Sequence, residues 1–176
     1  MTEVRLLEAD KEHENIYKNM LSLFLHDLSR YSDDLQMNQD TGMFDFNGFE
    51  LLFREKELKP LLIMASERIV GLLLLTSGGY SGPDHDYEVN SLFILQSERR
   101  RGWAMQACEV LFSKFPGSYK VAQLKSNGPA VTFWSTLYQR LDLHVNRYTA
   151  TEDGQQVEVQ QFCTGSCGDF ADLFDQ

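Results

Sequence analysis

Arg99, Arg100 and Arg101 stand in a row directly before Gly102, in the stretch SERRRGWAMQA. Like charges in succession repel unless something anionic faces them. The residues ahead of them, VNSLFIL, are rich in β-branched and aromatic side chains and predict a strand, while those after Gly102 predict a helix. A strand that feeds a helix through a glycine leaves several backbone N–H groups unpaired at the helix start, with the positive end of the helix dipole behind them. Such a place binds anions. Gly102 permits close approach of a phosphate, Ala104 keeps a second position small, and the arginines supply charge-assisted hydrogen bonds. The plainer alternative is a solvated loop in which Gly102 only turns the chain, because short glycine motifs are weak evidence by themselves.

The rest of the chain makes these arginines stand out. Sixteen Lys and Arg against 26 Asp and Glu leave a net charge of −10, which argues against a nucleic-acid surface. Residues 31–53 and 69–98 contain no Lys or Arg, and none follows Arg147. Cys163 and Cys167 form a C-x3-C with no second pair and no nearby His, so no metal site is expected, and Cys108 reads as a small buried hydrophobe. No apolar run approaches the ~18 residues of a membrane span, and the N-terminus lacks a basic region followed by an apolar stretch. A cytoplasmic protein without membrane association is the expectation.

The elements that must hold the anion site are legible in outline. Residues 3–7 predict a strand, followed by a helix with Ile16, Met20, Leu23, Phe24 and Leu28 at helical spacing. A polar loop runs over 31–47, and GFELLFREKEL predicts a short second helix. PLLIMASERIVGLLLLTSGGY predicts an antiparallel hairpin, YEVNSLFIL the next strand, and the segment from Gly102 to Phe112 a helix. YKVAQL is a further strand; Asn127, with Pro129 in the first turn, caps a helix whose apolar face is Ala130, Phe133, Trp134, Leu137 and Leu141. Two strands joined by EDGQ close the chain as a hairpin. This order gives an α/β (α+β) domain over residues 1–176, with a central mixed sheet and helices on its faces.

With these elements placed, Arg99-x-x-Gly102-x-Ala104 resembles the (Q/R)-x-x-G-x-(G/A) coenzyme A signature of the GNAT superfamily of acetyl-CoA-dependent N-acetyltransferases. It stands after the fourth strand and opens the next helix, as in that family. Asn127, Ala130 and Phe133 resemble the family's N-x-x-A-x-x-F-(Y) helix start, and the element order matches over nearly the whole chain. The resemblance implies a mostly antiparallel sheet of about seven strands. It also implies that the fourth strand splays from the fifth and pairs with pantetheine through backbone groups of Leu92, Phe93, Ile94 and Leu95. The pyrophosphate would lie on N–H groups from Arg100 through Gly102 and Trp103 to Ala104, beside Arg99 and Arg101, and Asn127 would reach the coenzyme by its side chain.

One departure is plain: Trp134 stands where many members carry a tyrosine that protonates the leaving thiolate, and an indole N–H does not serve as that acid. Tyr138, one turn further on, is a substitute, although a helix-flank tyrosine more often packs. An attacking amine must first lose its proton, and the family often uses a glutamate or an ordered water at the fourth strand. Glu88 is the candidate base, with Asp84 and Asp86 beside it on one side of the strand if the strand begins early, and His85 a weaker choice. The resemblance thus implies acetyl transfer from acetyl-CoA to a primary amine by direct attack, with N–H groups near Phe93 or Ile94 holding the oxyanion. The acidic segments suggest a cationic small molecule or basic peptide as acceptor, though solubility alone explains acidity equally well. A homodimer is left open. So is a non-catalytic acyl-CoA-binding module, which the absence of the usual tyrosine favours.

Overall fold

The computed structural model describes residues 3–167. Seven strands form one sheet: β1 (Val4–Glu8), β2 (Leu58–Ala65), β3 (Arg68–Ser77), β4 (Tyr87–Ile94), β5 (Gly117–Leu124), β6 (Val145–Glu152) and β7 (Gln155–Thr164). Their order across the sheet is β1-β2-β3-β4-β5-β7-β6, antiparallel throughout except for the parallel pair β4–β5. Three α-helices cover it: α1 (Glu14–Leu28), α2 (Trp103–Lys114) and α3 (Gly128–Arg140).

The apolar run IVGLLLL becomes β3, and covered faces explain why it does not alternate with polar residues. Leu73 and Leu75 enter one core cluster with Leu111 of α2 and Leu137 of α3, whereas Leu72 and Leu74 enter a second with Tyr17 and Leu21 of α1. Each fully buried leucine contributes on the order of 1.5–3 kcal/mol. Gly71 interrupts the run for a steric reason. A Cβ there would lie 2.2 Å from the Phe93 carbonyl oxygen, so only glycine lets β3 and β4 approach this closely.

Two expectations are corrected. The buried face of α1 is Tyr17, Met20, Leu21 and Leu25, while Ile16 and Leu23 are exposed. Spacing alone permits either stripe; the buried Tyr17 hydroxyl decides it by donating to Leu73 O at 2.9 Å. The second helix shrinks to a single 3-10 turn, Phe49–Leu51, opened by Gly48 at φ 76°, a left-handed conformation that no α-helix continues through. The closing hairpin turns at Asp153 and Gly154, both at positive φ (49° and 78°), as a two-residue turn between right-twisted strands requires. At the end of β7 Cys163 and Cys167 are paired, with their Cα atoms 6.2 Å apart. Among the described residues no helix is long and apolar enough to cross a membrane.

Candidate active site

The parallel pairing of β4 with β5 covers only Tyr87–Val89 against Tyr119–Val121. Its closed end is pinned by Asp86, whose Oδ2 accepts from the Ser118 N–H at 2.8 Å and from Ser118 Oγ at 2.9 Å. Beyond Val89 the two strands part. A bulge marks the fork: Val89 faces Leu75 and Ser91 faces Leu74, so Asn90 has no partner on β3. The extra residue reverses the alternation, which is why Val89 and Ile94 lie in the core cluster on the α2–α3 side although one is odd and the other even.

The gap holds a cleft of about 820 Å³. Its walls come from the end of α1 (Phe24, Asp27, Leu28), from Tyr31, from the parted strands (Leu92, Phe93, Ile94; Ala122, Gln123, Leu124), and from Arg99, Ala104, Asn127, Phe133 and Trp134 around the starts of α2 and α3. The loop after α1 is tied over it. Ser126 Oγ donates to Tyr31 O at 3.4 Å, and the Gln155 amide donates to Ser32 Oγ and to Asp34 Oδ2, the latter at 2.7 Å.

Which backbone groups of β4 face the gap follows from one bond. Leu95 N–H donates to Val70 O at 2.9 Å, so antiparallel alternation turns the N–H of Phe93 and Leu95 toward β3 and those of Leu92 and Ile94 toward the cleft. The Ile94 carbonyl confirms this phase, for it accepts from Arg99 Nε at 2.9 Å. Of the four residues expected to act through backbone, Leu92 therefore presents open groups and Ile94 an open N–H, its carbonyl being taken by Arg99, whereas the N–H groups of Phe93 and Leu95 face β3.

The three arginines divide in their roles. Arg99 is held by Ile94 O, by the Asp27 carboxylate of α1 and against the Phe93 ring. Arg101 lies 3.7 Å from buried Glu98, which Arg68 also binds. Arg100 is at φ 62° and Gly102 at φ 80°, and no side chain caps the helix that starts at Trp103. Left-handed residues before the helix start leave its first N–H groups without a side-chain cap, which is the kind of position where anions bind in proteins. Arg99 and Ala104 line the cleft, whereas Arg100, Arg101, Gly102 and Trp103 lie outside its wall, between those two lining residues in sequence. Asn127 both lines the cleft and caps α3, its Oδ1 accepting from Ala130 N–H at 3.2 Å.

Glu88 lies at the closed end of the fork on the sheet face opposite Val89. Lys120 sits 3.7 Å from Glu88 and 3.7 Å from Glu152, and Glu152 lines the cleft. Burial raises the Glu88 carboxyl above the ordinary 4.5; the Lys120 ammonium opposes that rise and Glu152 adds to it. Asp84 and Asp86 do not join them: the strand begins only at Tyr87, Asp84 is in an exposed turn, and Asp86 is committed to Ser118. His85 is engaged with the Gln161 amide at 2.9 Å. Tyr138 is also a correction as a catalytic acid. It is 2% exposed, its hydroxyl donates to Gln160 Oε1 at 3.1 Å, its ring stacks on Trp134, and burial pushes its phenol well above its ordinary value. Tyr31 is the tyrosine on the cleft wall. Sequence reading passes over it because it opens a polar loop with no periodicity; only the ties of that loop to Ser126 and Gln155 bring it over the fork.

No protein-family model matches the chain, and no curated protein matches it in sequence. Solved structures do. An acetyltransferase from Thermus thermophilus superposes with a TM-score of 0.61 at 14% identity, covering 92% of this chain and 98% of that one. A structure from Bacteroides thetaiotaomicron attributed to the GNAT family gives 0.64 at 12% identity over 96% and 92% of the two chains. The CoA-dependent acyl-homoserine lactone synthase BjaI, solved with SAM and isopentyl-CoA, gives 0.61 at 12% over 94% and 84%. At these identities the likeness is one of architecture, and the architecture of this chain is the GNAT fold.

Proposed function

We propose that the protein is an acyl-CoA-dependent N-acyltransferase that moves an acetyl group from acetyl-CoA to a primary amine. The observation that carries this reading is the parting of β4 from β5 at Val89, which opens a cleft from the fork to the uncapped start of α2. Phosphates of the coenzyme would rest on the N–H groups around Arg100 to Ala104, and the pantetheine arm would run along the open edge of β4. Its thioester would then lie near the fork. Neighbours of the same fold support the reading: one is named an acetyltransferase and another was solved with an acyl-CoA.

The chemistry follows from this placement. The amine nitrogen attacks the thioester carbonyl carbon, the C–O π pair moves onto oxygen, and an outward N–H of β4, that of Ile94 or of Leu92, stabilises that charge. Collapse breaks the C–S bond and releases the thiolate. Glu88, in contact with Lys120 and through it with Glu152, takes the proton that the amine sheds; burial raises its carboxyl above the ordinary value, which makes the carboxylate a stronger base than an exposed one. Tyr31 is the cleft tyrosine from which the thiolate takes a proton. The reading of the acceptor as cationic rests on the net charge of −10 alone, because the cleft wall sets Asp27 and Glu152 against Arg30 and Arg99. Free-thiol release from acetyl-CoA, with mass analysis of products across aminoglycosides, polyamines and basic peptides, tests the reaction. Coenzyme binding without thiol release for any amine would leave the acyl-CoA-binding module, which the burial of Tyr138 and the presence of Trp134 favour.

A further inference from the structure

The wall of the cleft contains an amide with nothing to bind. Gln123 on β5 is 9% exposed, and both its Nε2 and its Oε1 are shut off from solvent without a hydrogen-bond partner. Among the described residues the only other buried side-chain atom in that condition is Trp103 Nε1. A buried polar group left unpaired keeps its desolvation penalty uncompensated, so two unmet atoms on one side chain call for an explanation. Packing offers none. Gln123 takes the place in β5 that follows Tyr119 and Val121 on the α2–α3 face, where a leucine or methionine would fill the same space without penalty.

Position in the fork supplies a reason. Had β5 stayed paired with β4 beyond Val121, Gln123 would lie within a closed sheet; instead it borders the gap, on the side of Ala104, Asn127 and Trp134 and on the opposite face from Glu88 and Lys120. A carboxamide offers one acceptor and two donors together, and its natural complement is another amide. The pantetheine arm carries two secondary amides, and the proposed path between the α2 start and the fork takes them past this residue. The terminal torsion of a glutamine is broad and soft, so turning the amide toward a ligand costs little.

We infer that Gln123 is a specificity residue of the coenzyme channel, left unpaired in the free protein so that it pairs with a pantetheine amide when the acyl donor enters. This rests on the proposed acyl-CoA reading. It adds that part of the binding free energy is set against a penalty held by the free protein, so coenzyme affinity and free-protein stability move in opposite directions when the amide is removed.

The test compares wild type with Gln123→Met, an unbranched replacement of similar length, and with Gln123→Leu in case one variant packs poorly. Binding of coenzyme A and of adenosine 3′,5′-bisphosphate, which lacks pantetheine, is measured by calorimetry, and thermal midpoints are measured without ligand. The expected result is about tenfold weaker coenzyme A binding, unchanged bisphosphate binding, and an unliganded midpoint equal to or above that of wild type. Coenzyme A affinity within about twofold of wild type overturns the inference. A lowered unliganded midpoint in both variants also overturns it, since the amide would then be satisfied within the fold or by a trapped water. So does a change confined to the acceptor's KM, which would place the amide against the other substrate. Failure of wild type to bind coenzyme A is a separate result, which removes the acyl-CoA reading and this inference with it.

Discussion

Glu88 meets two opposing influences at the fork: burial favours its neutral form and Lys120 favours its charged form, with burial the larger. As a base it works only when ionised, so turnover of the wild type should fall as pH drops through the raised pKa. Glu88→Gln should lose activity at every pH, most above that pKa, and its profile should lose the acidic limb; a variant that keeps the limb removes Glu88 from the mechanism. Stability has the opposite sign. The folded state holds this proton more tightly than the unfolded chain, so ionisation costs stability, a cost absent below the ordinary 4.5 and complete above the raised value. The two tyrosines should separate in the same way. Tyr31→Phe should lower kcat by about 3- to 30-fold with little change in thermal midpoint, whereas Tyr138→Phe, which strands buried Gln160, should cost about 1–3 kcal/mol of stability with kcat nearly intact. Steady-state kinetics beside thermal denaturation of both variants decides between them.

The elements that matter are the strand that leaves its neighbour and the helix start it leads to. Gly71 lets β3 press against β4, and Gly71→Ala should destabilise the fold by about 2–4 kcal/mol, since the clash is with a backbone oxygen that cannot swing aside. Gly102→Ala meets only the Gln106 amide at 3.6 Å, so its cost of about 1–2 kcal/mol comes from φ 80°; it should appear in free-protein stability and, as the turn relaxes and shifts the N–H groups at the start of α2, in coenzyme affinity as well. Denaturant melts set beside calorimetric titrations distinguish the two effects. Element identity is readable from the sequence wherever a period or a turn residue dictates it, as at Asp153-Gly154 and Asn127. The parting of β4 and β5 is not readable from the residues themselves, because Asn90 and Ser91 are two polar residues inside an otherwise apolar strand and nothing in their types marks a bulge; only the family resemblance anticipates it. Side-chain commitments are hidden as well. Nothing in the order of residues shows that Arg99 is taken by Asp27, that Asp86 is taken by Ser118, or that Gln123 lacks a partner.

For the molecule as a whole, the net charge of −10 and the balanced cleft wall make different predictions about an acceptor. If the overall field draws in a cationic amine, its kcat/KM should fall several-fold between about 0.05 and 0.5 M salt while the affinity for coenzyme changes less steeply. A kcat/KM that is flat in salt would show that the acidity serves solubility. The central claim, that the parted strands and the uncapped helix form an acyl-CoA site, is tested most directly by titrating the wild-type protein with coenzyme A in a calorimeter. Saturable one-to-one binding that is weakened by Gly102→Ala is the predicted result; no detectable heat or thermal stabilisation at millimolar coenzyme would contradict it.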